Sequence, residues 1–274
     1  MVSQEQRRRQ LAREKFLRQQ QRRTSARRKA RMRNAAIASV LGVILIGSVA
    51  LYTTGVVLKD DDSKTNAGAE VSPSASAPSK APDPCDKPAD GKVKTQTWEK
   101  EPAMTIDKSA KYTMKLETTC GDIDIALKAE AAPHTVNSFD FLAGKGFFDH
   151  TKCHRLTTNG IFVLQCGDPT GQGNGGPGYN IPDENLKDKS LKDNMYPAGT
   201  VAMANTGPPN SGGSPFFLVY QNSPLPPSYT PFGTISDEGM TVLKKIAAAG
   251  ESTGAGDGAP NATVVIDKAT VAKS

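Results

Sequence analysis

The chain has 274 residues, with 34 Lys and Arg against 28 Asp and Glu, a formal charge of +6. A hydrophobic fraction of 37% is too low for a polytopic membrane protein, and four Cys are too few for a disulfide-framework miniprotein. One ordinary globular domain with attachments remains. The charge is unevenly spread. Residues 1–34 hold 13 basic and two acidic side chains (Glu5 and Glu14), a net of +11, which leaves 21 basic and 26 acidic for the other 240 residues. Of 12 Arg, 11 precede residue 34, and the twelfth is Arg155.

Residues 35–58 (AAIASVLGVILIGSVALYTTGVVL) are 24 consecutive uncharged, mostly apolar residues. As a helix they would span roughly 36 Å at about 1.5 Å per residue, enough to cross a ~30 Å hydrocarbon core with some tilt. Soluble core helices rarely lack polar residues on every face. A cleaved signal peptide would want a shorter basic segment and a shorter apolar run. The reading is therefore an uncleaved transmembrane anchor. Thirteen basic residues abut its N-terminal end, whereas Lys59 is followed at once by Asp60, Asp61 and Asp62. The positive-inside rule then leaves residues 1–34 in the cytoplasm and everything after residue 58 outside. The basic segment suits contact with anionic lipid. It has one aromatic residue, Phe16, so base stacking is poorly supported and no nucleic acid is expected.

Residues 59–104 are rich in Asp, Ser, Ala, Pro and Lys, and read as a disordered spacer carrying Cys85. The pattern changes near residue 105, where a domain covering 105–274 begins. Residues 112–118 (YTMKLET) and 122–127 (DIDIAL) alternate in polarity around Cys120-Gly121, as a hairpin does. Pro133 suits a first helical turn, with Val136, Phe139 and Leu142 following at spacings of three and Gly144 ending the run. Short strands with Gly and Pro punctuation lead to a second helix near 240–249 and a last strand over 262–267. Two helices among many short antiparallel strands argue for a mainly β fold, a barrel with helices covering its ends.

Three ordered motif blocks say more than the periodicity. The first is residues 147–156 (FFDHTKCHRL) with 162–168 (FVLQCGD). The second is 173–179 (GNGGPGY) with Asp183-Glu-Asn. The third is 203–208 (MANTGP) and 214–218 (SPFFL), ending at Phe232-Gly-Thr. Together they closely resemble the cyclophilin family of peptidyl-prolyl cis–trans isomerases, over roughly residues 108–270. The resemblance implies a closed eight-stranded antiparallel β-barrel capped by two α-helices. It also implies catalysis of X-Pro rotation by a non-covalent route, with Arg155 as the catalytic arginine. Gln165 and Asn205 would hold the substrate backbone, with Ala204 and Thr206 beside them. Phe162, Val163 and Phe217 would form the pocket for the proline ring, with Leu225 on its rim and Tyr229 nearby.

Four positions depart from the usual family pattern: Val163 replaces a methionine, Pro215 a glutamine, Leu225 a tryptophan and Tyr229 a histidine. Extra residues also fall between Arg155 and Phe162, in the Thr157–Gly160 stretch. These departures touch the substrate rim and cyclosporin affinity, and they leave the arginine and the ring pocket in place.

Such a reaction needs no cofactor and no metal, because no bond is made or broken. It needs a donor aimed at a nitrogen that becomes basic only in the twisted amide. Arginine fits, being always charged and presenting a rigid fork of donors. An alternative keeps the barrel as a non-catalytic binding module or holdase for Pro-containing segments, which Pro215 favours. Another makes the basic tail the working part and the barrel a sensor.

Other signals are weak. Residues 171–178 (GQGNGGPG) lack the Lys-Ser/Thr of a phosphate loop, and His134, His150 and His154 have no ligand pair at zinc spacing. Asn261-Ala-Thr carries little weight as a glycosylation acceptor. The four Cys allow three pairings or free buried thiols. If Arg155 and Gln165 face one pocket, as the resemblance implies, their strands pair antiparallel. Cys153–Cys166 is then the favoured disulfide, leaving Cys85–Cys120 to pin the spacer to the barrel.

Overall fold

The computed structural model describes residues 82–273. The basic segment 1–34, the apolar run 35–58 and the first part of the spacer lie outside the described residues. Among the described residues no helix is long and apolar enough to cross a membrane.

The opening hairpin is β1 (Tyr112–Thr118) and β2 (Gly121–Leu127), paired antiparallel from Tyr112↔Leu127 to Thr118↔Gly121. Because successive strand side chains point to opposite faces, Tyr112, Met114, Leu116, Ile123, Ile125 and Leu127 all enter the core. Gly121 closes the turn at φ +124, where an L side chain is strained, and a Cβ there would stand 3.0 Å from Val242 Cγ2. The turn therefore requires glycine.

Helix α1 (Pro133–Gly144) follows, with Pro at its first turn and no side-chain cap from its own N-cap residue, Ala132. The cap comes from 50 residues away. The Glu184 carboxylate accepts from His134 N (3.1 Å), Thr135 N (2.9 Å) and Thr135 Oγ1 (2.9 Å), placing negative charge at the positive end of the helix. Phe139 of this helix is fully buried, its ring centroid 4.5 Å from that of Phe232, 5.2 Å from Phe148 and 5.5 Å from Phe216. Helix α2 (Asp237–Ala248) starts earlier than its apolar pattern indicates, because Ser236 caps it by accepting from Gly239 N (3.0 Å). Leu243 and Ile246 are its buried contacts.

The remaining strands are short: β3 (Thr151–Lys152), β4 (Arg155–Thr157), β5 (Val163–Cys166), β6 (Met195–Tyr196), β7 (Thr200–Met203), β8 (Phe216–Val219), β9 (Ser223–Pro224), β10 (Pro231–Ile235) and β11 (Asp257–Gly258). The exception is β12 (Val265–Lys273), which runs well past the expected last strand because β1 offers a partner along its whole length. Ten strands form one curled antiparallel sheet in the order β11-β4-β5-β8-β7-β10-β2-β1-β12-β3, and β6 and β9 pair separately.

The closed eight-stranded barrel implied by the resemblance is not the observed ladder, which runs from β11 to β3 without closing into one continuous ring. Residues 151–157 explain why. β3 pairs with β12 and β4 with β5. Between them Cys153 N donates to Val264 O and His154 N to Gln165 O, each at 3.0 Å. This stretch changes partner within two residues and breaks the ladder there.

The spacer expectation also needs correction over its second half. Residues 82–104 have no regular structure but are docked as a strap. Cys85 is disulfide-bonded to Cys120, and Asp86 N donates to Thr119 O (2.8 Å). Trp98 N donates to Pro177 O (2.8 Å), and the indole packs against Phe141 (5.1 Å) and Phe147 (6.0 Å). Glu101 contacts His134 Nδ1 at 2.7 Å. Asn137, buried on α1, accepts from Thr105 N and donates to the carbonyls of Pro102 and Ala103. Composition predicts disorder from low average hydrophobicity. One disulfide, one large aromatic ring and satisfied backbone groups supply what the average lacks.

Candidate functional site

Strand register assembles the site. Arg155 on β4 stands opposite Gln165 on β5, Gln165 opposite Phe217 on β8, and Phe217 opposite Ala202 on β7. Residues directly opposite one another share a face, so four strands deliver one row of side chains to one side of the sheet. The next row, Leu156, Leu164, Leu218 and Val201, points to the other side and is fully buried in the main core. The sheet is thus core on one face and site on the other.

The site face carries its own apolar cluster. Val163, Tyr196, Ala202, Phe217 and Val219 are buried in it, with Ile161, Leu191, Ala204, Leu225 and Tyr229 partly buried against them. A cavity of about 60 Å³ opens here, lined by Arg155, Ile161, Val163, Gln165, Phe217, Leu225 and Tyr229. The Phe217 and Tyr229 rings meet edge to face at 5.4 Å. Behind them Tyr196 is fully buried, and its hydroxyl donates to Tyr229 O (2.7 Å) and accepts from Tyr229 N (3.2 Å). Burial pushes the Tyr196 phenol up to about 12, so it stays neutral and keeps both bonds. Tyr196 lies in a two-residue strand with no periodic signal, and sequence reasoning missed it.

Arg155 is one-third exposed and paired with Asp257. Its Nε donates to Asp257 Oδ1 and its Nη2 to Asp257 Oδ2, both at 2.7 Å. These hydrogen bonds raise the guanidinium pKa above its ordinary value and lower that of the carboxylate. The pair is a bidentate fork, the geometry in which arginine is most firmly oriented.

A second cavity of about 370 Å³ lies alongside, lined by Ala204, Asn205, Thr206, Pro215 and the glycine-rich residues 173–178 among others. Asn205 belongs here. Its Nδ2 donates to Ser228 O (2.8 Å) and its Oδ1 accepts from Gly207 N (3.1 Å), so its side chain braces two loops. The glycine-rich loop is wrapped round Asp168, a fully buried carboxylate accepting from the backbone of Thr170 (2.7 Å), Gln172 (3.1 Å), Gly173 and Asn174 (3.0 Å). Burial works to raise the Asp168 pKa, but hydrogen bonds from Thr170 and the loop N–H groups outweigh it and hold the pKa below its ordinary value.

The sequence-predicted residues are therefore not all in one place. Arg155, Val163, Gln165, Phe217, Leu225 and Tyr229 converge on the small cavity. Ala204 packs on the same apolar cluster and also lines the larger cavity, which holds Asn205 and Thr206. Phe162 lines neither. Its ring packs on Tyr220 at 5.9 Å and its N–H donates to Ser223 Oγ (2.8 Å). Strand alternation puts Ile161 and Val163 together and turns Phe162 away.

Cys153 and Cys166 are disulfide-bonded beside this row, one position beyond the His154 N to Gln165 O bond. Among the described residues no three His, Cys, Asp or Glu side chains are grouped to hold a metal ion.

Comparisons with known proteins agree with this geometry. The family model described as cyclophilin type peptidyl-prolyl cis-trans isomerase/CLD matches residues 113–271. The probable peptidyl-prolyl cis-trans isomerase B of Mycobacterium leprae is 45% identical over 196 residues, covering 69% of this chain and 62% of that protein. The protein of the same description from Mycobacterium tuberculosis is 43% identical over 198 residues, covering 69% and 60%. The match thus spans 60–62% of the length of these relatives. A peptidyl-prolyl cis-trans isomerase of Helicobacter pylori is 39% identical over 143 residues, covering 52% of this chain and 82% of its own. Among solved structures, a cyclophilin type peptidyl-prolyl cis-trans isomerase of Cryptosporidium parvum aligns with a TM-score of 0.50 at 26% identity, covering 60% of this chain and 99% of that one.

Proposed function

The chain belongs to the cyclophilin-type peptidyl-prolyl cis–trans isomerase family, and from that premise we propose that it accelerates rotation about X-Pro bonds in exported proteins. The observation that carries this is the Arg155–Gln165–Phe217 row beside a small apolar cavity.

The X-Pro amide resists rotation by ~18–20 kcal/mol because the nitrogen lone pair is delocalised into the carbonyl, while its two isomers differ by only ~0.5–1 kcal/mol. Twisting the bond returns the lone pair to nitrogen. A proline ring held by Val163, Phe217 and Leu225 would present that nitrogen to Arg155. A guanidinium hydrogen bond to it forms only in the twisted state, so it stabilises the transition state more than either isomer. Gln165, next to Arg155 in the row, supplies an amide to hold the substrate backbone, and Tyr229 closes the rim. No nucleophile or general base takes part. An accelerated cis-to-trans phase of an X-Pro peptide in the presence of the purified full chain tests the reading. A chain that binds the peptide without accelerating that phase would instead be the binding module.

We further propose that residues 35–58 anchor the chain in a membrane, with the basic segment on the cytoplasmic side beside anionic lipid and the folded domain outside. Two disulfides fit an oxidising compartment. Protease added to intact cells is expected to degrade the folded domain and spare residues 1–34. Full protection of the domain contradicts that topology.

Leu225 and Tyr229 both line the cavity in place of a tryptophan and a histidine, and neither supplies the ring-nitrogen donor of those residues. Cyclosporin is accordingly expected to inhibit weakly, and tight inhibition at stoichiometric concentration would overturn this.

A further inference from the structure

We propose that Asp257, presented by a loop folded around Glu251, is the positioning residue for Arg155; this rests on the isomerase reading above. An arginine side chain has several rotatable bonds, and one that is a third exposed is not fixed by packing alone. In the site row its neighbour Gln165 is itself only partly buried, and the remaining lining of the cavity is apolar or aromatic. The two 2.7 Å bonds to Asp257 are therefore what set the plane of the guanidinium. They engage the Nε edge and one Nη2 hydrogen, and leave the other Nη2 hydrogen and both Nη1 hydrogens for a substrate.

Asp257 is in turn held. It opens β11, opposite Thr157 on β4, so its backbone is registered against the strand that carries Arg155. The loop before it closes on Glu251, which is 8% exposed. Glu251 Oε1 accepts from Gly256 N (2.8 Å), and Oε2 accepts from Thr253 N (2.6 Å) and Thr253 Oγ1 (2.7 Å). Thr253 Oγ1 also reaches Asp257 O at 3.2 Å. A buried carboxylate thus shapes a loop whose exposed carboxylate aims the arginine.

Stability does not account for such a pair. Ion pairs this exposed contribute little to folding, while a small misplacement of a catalytic group is costly in rate. The effect belongs to kcat.

The test measures kcat and KM for an X-Pro peptide, together with Tm, on the full chain and its variants. D257A is expected to lower kcat roughly tenfold with KM and Tm close to wild type. D257E, which keeps the fork acceptor, should recover most of the loss. E251Q touches neither substrate nor Arg155, yet should lower kcat in the same direction, and D257A/E251Q should be no worse than D257A alone. Wild-type kcat in D257A, or a loss that D257E does not rescue and that tracks a fall in Tm, overturns the proposal. If the wild type is active, R155A is impaired and D257A is unaffected, only the positioning role fails. An inactive wild type removes both readings.

Discussion

Replacing Arg155 with alanine is expected to lower kcat/KM toward an X-Pro peptide by roughly 10²–10³-fold, the range seen when a single donor aimed at developing charge is removed. The far-UV spectrum and Tm should stay at wild-type values. Leu156 and Leu164, the neighbours that pack into the main core, are untouched, and a partly exposed ion pair such as Arg155–Asp257 is worth only ~0–1 kcal/mol to folding. Lysine is not an adequate substitute. It carries the charge, but it cannot keep two bonds to Asp257 and offer a donor in a fixed plane, so Arg155→Lys should retain roughly a tenth of the activity or less. A lysine variant near full activity would show that charge alone matters and that the fork does not.

Undocking the strap should have the largest effect on stability. The combined variant C85S/C120S/W98A in the full chain is expected to lose roughly 3–5 kcal/mol, of which the disulfide contributes ~2–4. Loss of Trp98 uncovers the Phe141 and Phe147 rings and strips the apolar anchor from the segment that satisfies Asn137. Denaturant titration under oxidising conditions measures this. C85S/C120S alone isolates the covalent share, and W98A alone the packing share. An unchanged midpoint in the combined variant would mean that residues 82–104 lie on the domain without stabilising it.

Some of this was legible in the sequence, for identifiable reasons. Arg155, Gln165 and Phe217 sit in motif blocks, and the register of their strands faces all three side chains to one side. The opening hairpin and α1 show clear periods of two and three to four. Phe162 lies outside the small cavity because alternation sends Ile161 and Val163 into it and turns Phe162 to the other side, against Tyr220. Asn205, expected with Gln165 to hold the substrate backbone, has its amide tied to Ser228 and Gly207, two contacts no motif announces. Asp257 and Tyr196 lie in two-residue strands, too short to leave a pattern. Their partners are distant in the chain: Asp257 is 102 residues from Arg155 and Tyr196 is 33 from Tyr229. The cap of α1 has the same origin, a Glu184 supplied from a remote loop. The strap was misread because composition averages over a window, while docking depends on the chain's single Trp and one Cys.

A site that lowers the rotational barrier does more than hold proline. Exchange spectroscopy on an isotope-labelled X-Pro peptide at equilibrium addresses this most directly, because it reports binding and cis–trans interconversion of the bound peptide separately. Rapid interconversion is expected with the wild-type chain, and binding of similar strength without it for R155A. Interconversion at the wild-type rate on R155A would show that Arg155 does not lower the barrier.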